Sequence, residues 1–532
     1  MSWSINKIKN IKENAESGDA GAQNDLACYY FLETDLPNRA ELAFEWWTKA
    51  AEQGLEEAQY NLGQYYEDNG NFDDAFRCFS VAAEQGYVPA FYKLGEYYNT
   101  GKFVEQNIEK AFHYYYKAAK LGFPEAQNII GCCYINGVFV EKDEKNAVKW
   151  FKLAAEQEES DAQENLATCY FSGKGGKKNY HKMLFWLQKA AENGSIKAIY
   201  NIGHCYLHGT GIKKDSKLAF KYYKKAALLD FAPAQNSLGW CYSEGVGVDV
   251  NLCKAFKWYN MSALQNFDIA QCNVGLCYLN GEGVRKDTAV AFEWFQKSAK
   301  QGYIRGQINL AKCYDSGVGV EKDLKKAFEW YMRAAEQGSA DAQNRIGIMY
   351  EKGEGVKQDY FLALNWYKKS AEQGFESAQF NFGICYLFGN GIEKDAQEAA
   401  KWFIKAANQG DSDAQYQLGI MYYHGDGVEL DYEKSIEYLR KSAHQGNEYA
   451  QVLLGLKYYF GEPVKQDYTT AFRYFKSAAK QGFAEANYYL GVCYANGQGV
   501  DMDLIHALYL YTLSADLGYE PAKEKLELFK RL

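Results

Sequence analysis

One pattern, Ala-Gln-x-x-Leu-Gly, returns along the whole chain and limits what it can fold into more than any other feature. It places a glycine, or an alanine in its stead, at Ala27, Gly63, Gly95, Gly131, Ala167, Gly203, Gly239, Gly275, Ala311, Gly347, Gly383, Gly419, Gly455 and Gly491. Every step is 36 residues except Gly63 to Gly95, which is 32 because the loop around Gly70 is four residues shorter. Fourteen such units use nearly all of the 532 residues. No room remains for a second domain of ordinary size. Self-similarity at this period is the mark of a solenoid, in which each unit buries its apolar face against the next.

Two helices explain each unit. Counting from the pattern glycine as zero at about 100° per residue, positions −5, −1, +2 and +3 share one side of a first helix, as Ala342, Ile346, Met349 and Tyr350 do around Gly347. That side is the expected core. A second helix starts where Asp143, Asp215, Asp287, Asp323, Asp359, Asp395, Asp431, Asp467 and Asp503 recur at +12, because a carboxylate there accepts the first free N–H groups and meets the positive helix end. It ends at glycines such as Gly338, Gly374 and Gly410, where a left-handed residue is wanted. Proline inside either helix costs about 3 kcal/mol. All six avoid both: Pro89, Pro124, Pro233 and Pro521 stand at or before the first turn of a first helix, and Pro37 and Pro463 in the loops between helices. Residues 4 to 17 align with a lone second helix and residues 521 to 532 with a lone first helix. The expected organisation is a capping helix in residues 1–18, fourteen repeats forming one continuous solenoid in residues 19–520, and a second cap in residues 521–532.

The arrangement Ala-Gln-x-Asn-Leu-Gly-x-x-Tyr-x-x-Gly-x-Gly-Val-x-x-Asp-x-x-Lys-Ala-x-x-Trp-Tyr-x-x-Ala-Ala-Glu-Gln-Gly resembles the Sel-one-like repeat (SLR) family, relatives of the tetratricopeptide repeats. The likeness runs from about residue 19 to 522, with departures at Leu36-Pro37-Asn38 and in the short loop of repeat 2. It implies an all-α fold, a right-handed α/α superhelix of SLR helix-turn-helix repeats, acting as a non-enzymatic adaptor or scaffold for protein complexes, often in bacterial signalling, envelope or host-interaction pathways. It implies no cofactor. Secreted, cysteine-rich members of the family carry a disulfide between the two helices of each repeat. Here position +2 holds Cys133, Cys169, Cys205, Cys241, Cys277, Cys313, Cys385 and Cys493, but no second cysteine recurs in the other helix. These thiols read as small apolar residues, interchangeable with Met349 and Met421.

Charge narrows the partners. With 59 Lys+Arg against 68 Asp+Glu the net charge is −9, and no basic stripe offers a nucleic-acid backbone its counterions. No segment approaches the roughly 18 uninterrupted apolar residues of a membrane span, and the start, Met1-Ser2-Trp3-Ser4-Ile5-Asn6-Lys7, lacks the apolar core of a signal peptide. The expectation is a cytoplasmic protein with a protein or peptide partner, no nucleic acid and no membrane insertion; export without a cleavable signal, as an effector that meets host proteins, is the alternative.

Chemistry is sparse. The Gly-x-Gly segments, such as Gly353 to Gly355 and Gly425 to Gly427, follow helices rather than strands and recur once per unit, so they read as turns and not as phosphate cradles. Gly173-Lys174-Gly175-Gly176-Lys177-Lys178 is basic but lacks the Gly-Lys-Ser/Thr ending of a nucleotide loop. His204 and His208 stand at i, i+4, with Glu244 at the repeat position of His208 one unit later, which leaves a metal-dependent or hydrolytic protein as a further alternative. Repeat symmetry explains nearly every Asp and Cys, and no metal ligand or catalytic residue is assigned.

A partner is expected on the stripe opposite the core, at −3, +1 and +4 with −2 and +5 beside them, which lines the concave surface in related superhelices. In repeats 11 to 14 this stripe carries Phe380, Ile384, Leu387, Phe388, Tyr416, Ile420, Tyr423, His424, Val452, Leu456, Tyr459, Phe460, Tyr488 and Val492, an apolar run where solvent-facing residues are expected. Repeats 9 and 10 place Lys312, Asp315, Asn344 and Glu351 there instead. The competing reading is that close packing of neighbouring first helices buries the run. Repeats 6 to 8, with Tyr200, His204, Leu207, Trp240, Leu276 and Leu279, form a weaker second stretch. At −2, Asn61, Asn165, Asn201, Asn273, Asn309 and Asn381 recur; such amides hold the backbone of an extended peptide or bond locally between helices. Self-association through the aromatic stripe is the remaining alternative.

Overall fold

The computed structural model describes residues 5–32 and 38–530; Ser4, Leu36, Pro37 and residues 531–532 lie outside them. Thirty helices and no strand are found among the described residues. They fall into two compact units, Met1–Ser262 and Ala263–Leu532. The first contains the lone helix Ile5–Glu16, repeats 1 to 6 and most of repeat 7; the second contains the end of repeat 7, repeats 8 to 14 and the lone helix Glu520–Lys530. In each repeat a first helix, here A, is followed by a second, B, as in Ala340–Lys352 and Tyr360–Glu372 of repeat 10.

The caps form where the aspartates demand them. Each of the nine +12 aspartates is an N-cap whose carboxylate accepts from backbone N–H groups of the first turn, as Asp143 does from Asn146 at 2.9 Å and Asp359 from Leu362 at 2.9 Å. Asn107 and Asn179 do the same where aspartate is missing. Most B helices end two residues before a glycine in the left-handed region, such as Gly338 at φ 93°.

Packing follows the predicted faces. The −5 alanines and −1 aliphatics are buried in repeat after repeat, Ala342 and Ile346 among them. The pattern glycine explains itself at repeat 11: a Cβ on Gly383 would lie 2.7 Å from the Phe403 ring of helix B. Only hydrogen fits, so A and B approach closely over an aromatic side chain. The second glycine of Gly-x-Gly has an equally plain role, since a Cβ on Gly355 would meet the Leu324 carbonyl oxygen at 2.1 Å. These loops stack on the start of the preceding helix B and are closed to a phosphate.

In many repeats a buried amide relay ties the helix pair to the one before it. Gln343, at −4, donates Nε2 to the Ala335 carbonyl at 3.0 Å and accepts from Gln373 Nε2 at 2.7 Å. Ala335 lies in the last turn of the B helix of repeat 9, and Gln373 is the C-cap of that of repeat 10. The same bonds recur at Gln127, Gln163, Gln379, Gln415 and Gln451. The two glutamines of Ala-Gln and Glu-Gln-Gly are therefore one device: a buried polar group with its partners supplied.

Candidate functional site

The outward stripe of repeats 11 to 14 is divided between core and surface. Phe388 and Phe460, both at +5, are 56% and 60% exposed. Val452 is only 4% exposed and packs with Ala478 and Ala486, because in repeat 13 the −3 position turns into the seam with the next A helix. Val452 is thus a packing residue, and the expectation that it faces a partner is corrected. Phe380, Ile384, Leu387, Tyr416, Ile420, Tyr423, Leu456, Tyr459, Tyr488 and Val492 are half-buried. Phe380, Ile384 and Leu387 cover the core of repeats 11 and 12; Phe380 lies 5.6 Å from the Phe403 ring, and Tyr459 donates to Gln498 at 2.5 Å. Lys457 Nζ sits 3.4 Å from the Tyr423 ring centroid, screening one face of it.

Tyr449 belongs to this surface and was not singled out by the repeat pattern. It stands at −6, rotated beside +1 and +5 on the same helix face, is 51% exposed, and links Tyr416 at 5.9 Å to Phe483 at 5.0 Å. Only a count extended one turn further back from the glycine would have found it. Repeats 9 and 10 contrast sharply. Arg345 replaces the −2 asparagine and holds Asp315 and Glu354, each at 2.8 Å, while Tyr367 donates to Glu351 at 2.6 Å. Asn344 is buried and accepts from Asn381 at 2.9 Å. Asp315, Asn344 and Glu351 are thus engaged within the protein, while Lys312 pairs with Asp341.

The asparagine row bonds mainly to itself. Asn61, Asn165 and Asn381 each donate Nδ2 at 2.9 Å to the −3 asparagine of the preceding repeat, and Asn309 donates to Cys272 Sγ at 3.4 Å. These are struts between A helices, and each engages part of its amide within the protein. Asn273 also has an internal partner. Asn201 differs: no hydrogen bond of its side chain is found among the described residues.

In the second stretch, His204 Nε2 shares a hydrogen bond with Tyr200 at 2.9 Å, and the His204 and His208 ring centroids are 5.7 Å apart. Burial, and then His208, holds His204 below the ordinary imidazole range. Glu244 accepts from Ser243 instead of joining the histidines. No group of three His, Cys, Asp or Glu residues converges as a metal site among the described residues. The +2 cysteines are apolar packing groups: burial pushes Cys205 up to about 11 and Cys241 up to about 12, so both stay thiols at neutral pH. None of the thirteen cysteines is paired among the described residues. No described helix is long and apolar enough to cross a membrane.

Fourteen consecutive segments, from residues 20–55 to residues 484–519, match the Sel1 repeat. The chain belongs to the Sel1 repeat family. Its Sel1 repeats resemble those of c5321, a protective antigen of uropathogenic Escherichia coli with an SLR fold, at 31% identity and a TM-score of 0.59 over 97% of each chain. A Sel1 repeat protein of Oxalobacter formigenes is 32% identical over 58% of this chain and 89% of its own, with a TM-score of 0.44. No curated protein matches the chain. The expected all-helical repeat architecture stands.

Proposed function

We propose that this Sel1 repeat protein is a non-enzymatic cytoplasmic scaffold that binds a peptide or helix of a partner protein along the A-helix face of repeats 11 to 13. The observation that carries this reading is the exposure of Phe388, Tyr449 and Phe460 on a base of half-buried aromatics, bordered by the charged network of Arg345. Exposed aromatic groups on a fixed base supply contact area at low entropic cost. The bonded asparagines act on the partner indirectly, by fixing the spacing of the A helices. The unpaired thiols agree with a reducing compartment.

The test is selection of a displayed random peptide library on the purified protein, followed by affinity measurement with Phe388→Ser plus Phe460→Ser. These two side chains are better probes than Phe380 or Tyr416, whose truncation opens the core. Selected peptides rich in aromatic and aliphatic residues should bind the double variant about 10-fold or more weakly, as expected for loss of interface anchors. Equal binding by the folded variant overturns the site. A stable dimer in light scattering that the variant dissolves makes a second copy of the chain the partner.

A second reading, an exported protein that meets host proteins, is favoured by the protective-antigen relative. Fractionation of the producing cells separates the two: the scaffold reading requires the protein in the cell lysate, and its accumulation in the supernatant without lysis replaces that reading.

A further inference from the structure

Asn201, whose amide bonds to no described protein group, lies where two other repeat rules also fail. Repeat 5 has Leu187 at the station that holds Tyr115, Phe151, Tyr223 and Phe295 in repeats 3, 4, 6 and 8. Space opens there. A cavity of about 330 Å³ lies between the helices Ser160–Ser172, Tyr180–Glu192 and Ile196–His208, at the lower end of the range for small-molecule sites. Its base is Met183, Leu187 and Ala167, and Phe171 stands at its side. Asn201, His204, His208, Thr168 and Thr210 supply polar atoms, and no carboxylate or lysine lines it.

Asn201 has lost its usual acceptor for a visible reason. The −3 residue of the preceding repeat, asparagine or cysteine for its counterparts, is here Glu164, which accepts from Ser195 and pairs with Lys197 at 3.1 Å. An amide without a protein partner, partly open to water beside an apolar floor, is free to donate to and accept from the polar edge of a ligand, which takes the place of water. The chemistry of that ligand follows from the lining. A cation would meet two imidazoles and no counter-charge, and a purely aliphatic group would leave the amide unsatisfied. A flat ring with one polar edge suits both parts of the cavity.

We propose that this cavity binds a single aromatic ring bearing a hydrogen-bonding edge, a phenol or an indole, with the ring on Leu187 and Met183 and its polar edge at Asn201. The ring belongs either to a tyrosine or tryptophan side chain of a partner or to a free small molecule. The site lies in repeats 5 and 6, so it stands apart from the aromatic face of repeats 11 to 13, and each is tested without the other.

The experiment is saturation-transfer NMR on the full chain with p-cresol, 3-methylindole and toluene, beside the variants Leu187→Phe and Asn201→Leu. Leu187→Phe restores the ring of the sister repeats; Ala311 already coexists with Tyr331 at the same two stations, so a folded protein is expected, and a thermal melt checks it. Both polar-edged probes should bind wild type, lose binding in Leu187→Phe, and weaken about tenfold in Asn201→Leu, the effect of one hydrogen bond at the upper end of its net worth. Toluene should resemble the Asn201→Leu result. N-acetyltryptophanamide and N-acetyltyrosinamide separate the sources: their binding as well assigns the ring to a partner's side chain, whereas binding of the free rings alone assigns it to a small molecule. No transfer to wild type, or transfer unchanged in folded Leu187→Phe, overturns the proposal.

Discussion

Glu158 illustrates how much a single backbone angle asks of a residue. The B helices of most repeats end at glycine in the left-handed region, but repeats 4, 6 and 7 place Glu158, Asp230 and Asn266 there at φ 67°, 57° and 66°. Asparagine and aspartate tolerate that region because a short polar side chain bonds locally, as Asp230 and Asn266 do with Gln235 and Gln271. Glutamate has no such relief. Glu158→Gly should therefore stabilise the protein by about 0.5–1 kcal/mol, the left-handed penalty less the extra freedom of glycine when unfolded. The main-chain oxygen of residue 158 keeps its bond from Asn193, so urea denaturation should show a higher midpoint with an unchanged slope. A lower midpoint would mean that the Glu158 side chain contributes more than its backbone costs.

At the level of the helix pair, the amide relay makes a sharper demand than the apolar face. Gln343→Met keeps volume but leaves the Ala335 carbonyl and the Gln373 amide without their partner. The expected loss is about 1–3 kcal/mol, read as a lower urea midpoint. A neutral result would show that water replaces both bonds. The helices, their caps and their register were legible in the sequence because Asp359, Gly374 and Ala342 each act within their own turn or against one neighbour. The relay was not, although Gln343 and Gln373 both recur every 36 residues, since a polar residue's repetition does not say whether its partner is water or a buried carbonyl. The candidate face was legible only in outline. The periodicity placed Val452 and Phe460 on one stripe, yet packing between adjacent A helices buries the first and leaves the second exposed. Asn201 looked identical to Asn165 until Glu164 was seen to be engaged elsewhere.

The whole molecule repeats one device, and its energetics should be local for the same reason. Within Ala263–Leu532, packing joins consecutive helices, with slight contact beyond the next one. Stability in such an array is a sum of repeat and nearest-neighbour terms, so a defect is felt mainly by the repeats that touch it. Gly383→Ala supplies a defined defect: the new methyl meets the Phe403 ring at 2.7 Å, and forcing the two helices apart costs about 1–3 kcal/mol. Amide hydrogen exchange should then speed up in the helices of repeats 10 to 12 and remain near wild type in the A helix of repeat 14, Ala484–Asn496. Uniform acceleration through repeats 8 to 14 would instead mean that this unit opens only as a whole. The distinction bears on binding. In the local case an aromatic face can be weakened or ordered by a ligand without disturbing distant repeats, and the half-buried Phe380 and Tyr416 become sensors of the occupancy of Phe388 and Phe460; in the cooperative case any ligand stabilises every repeat of the unit at once.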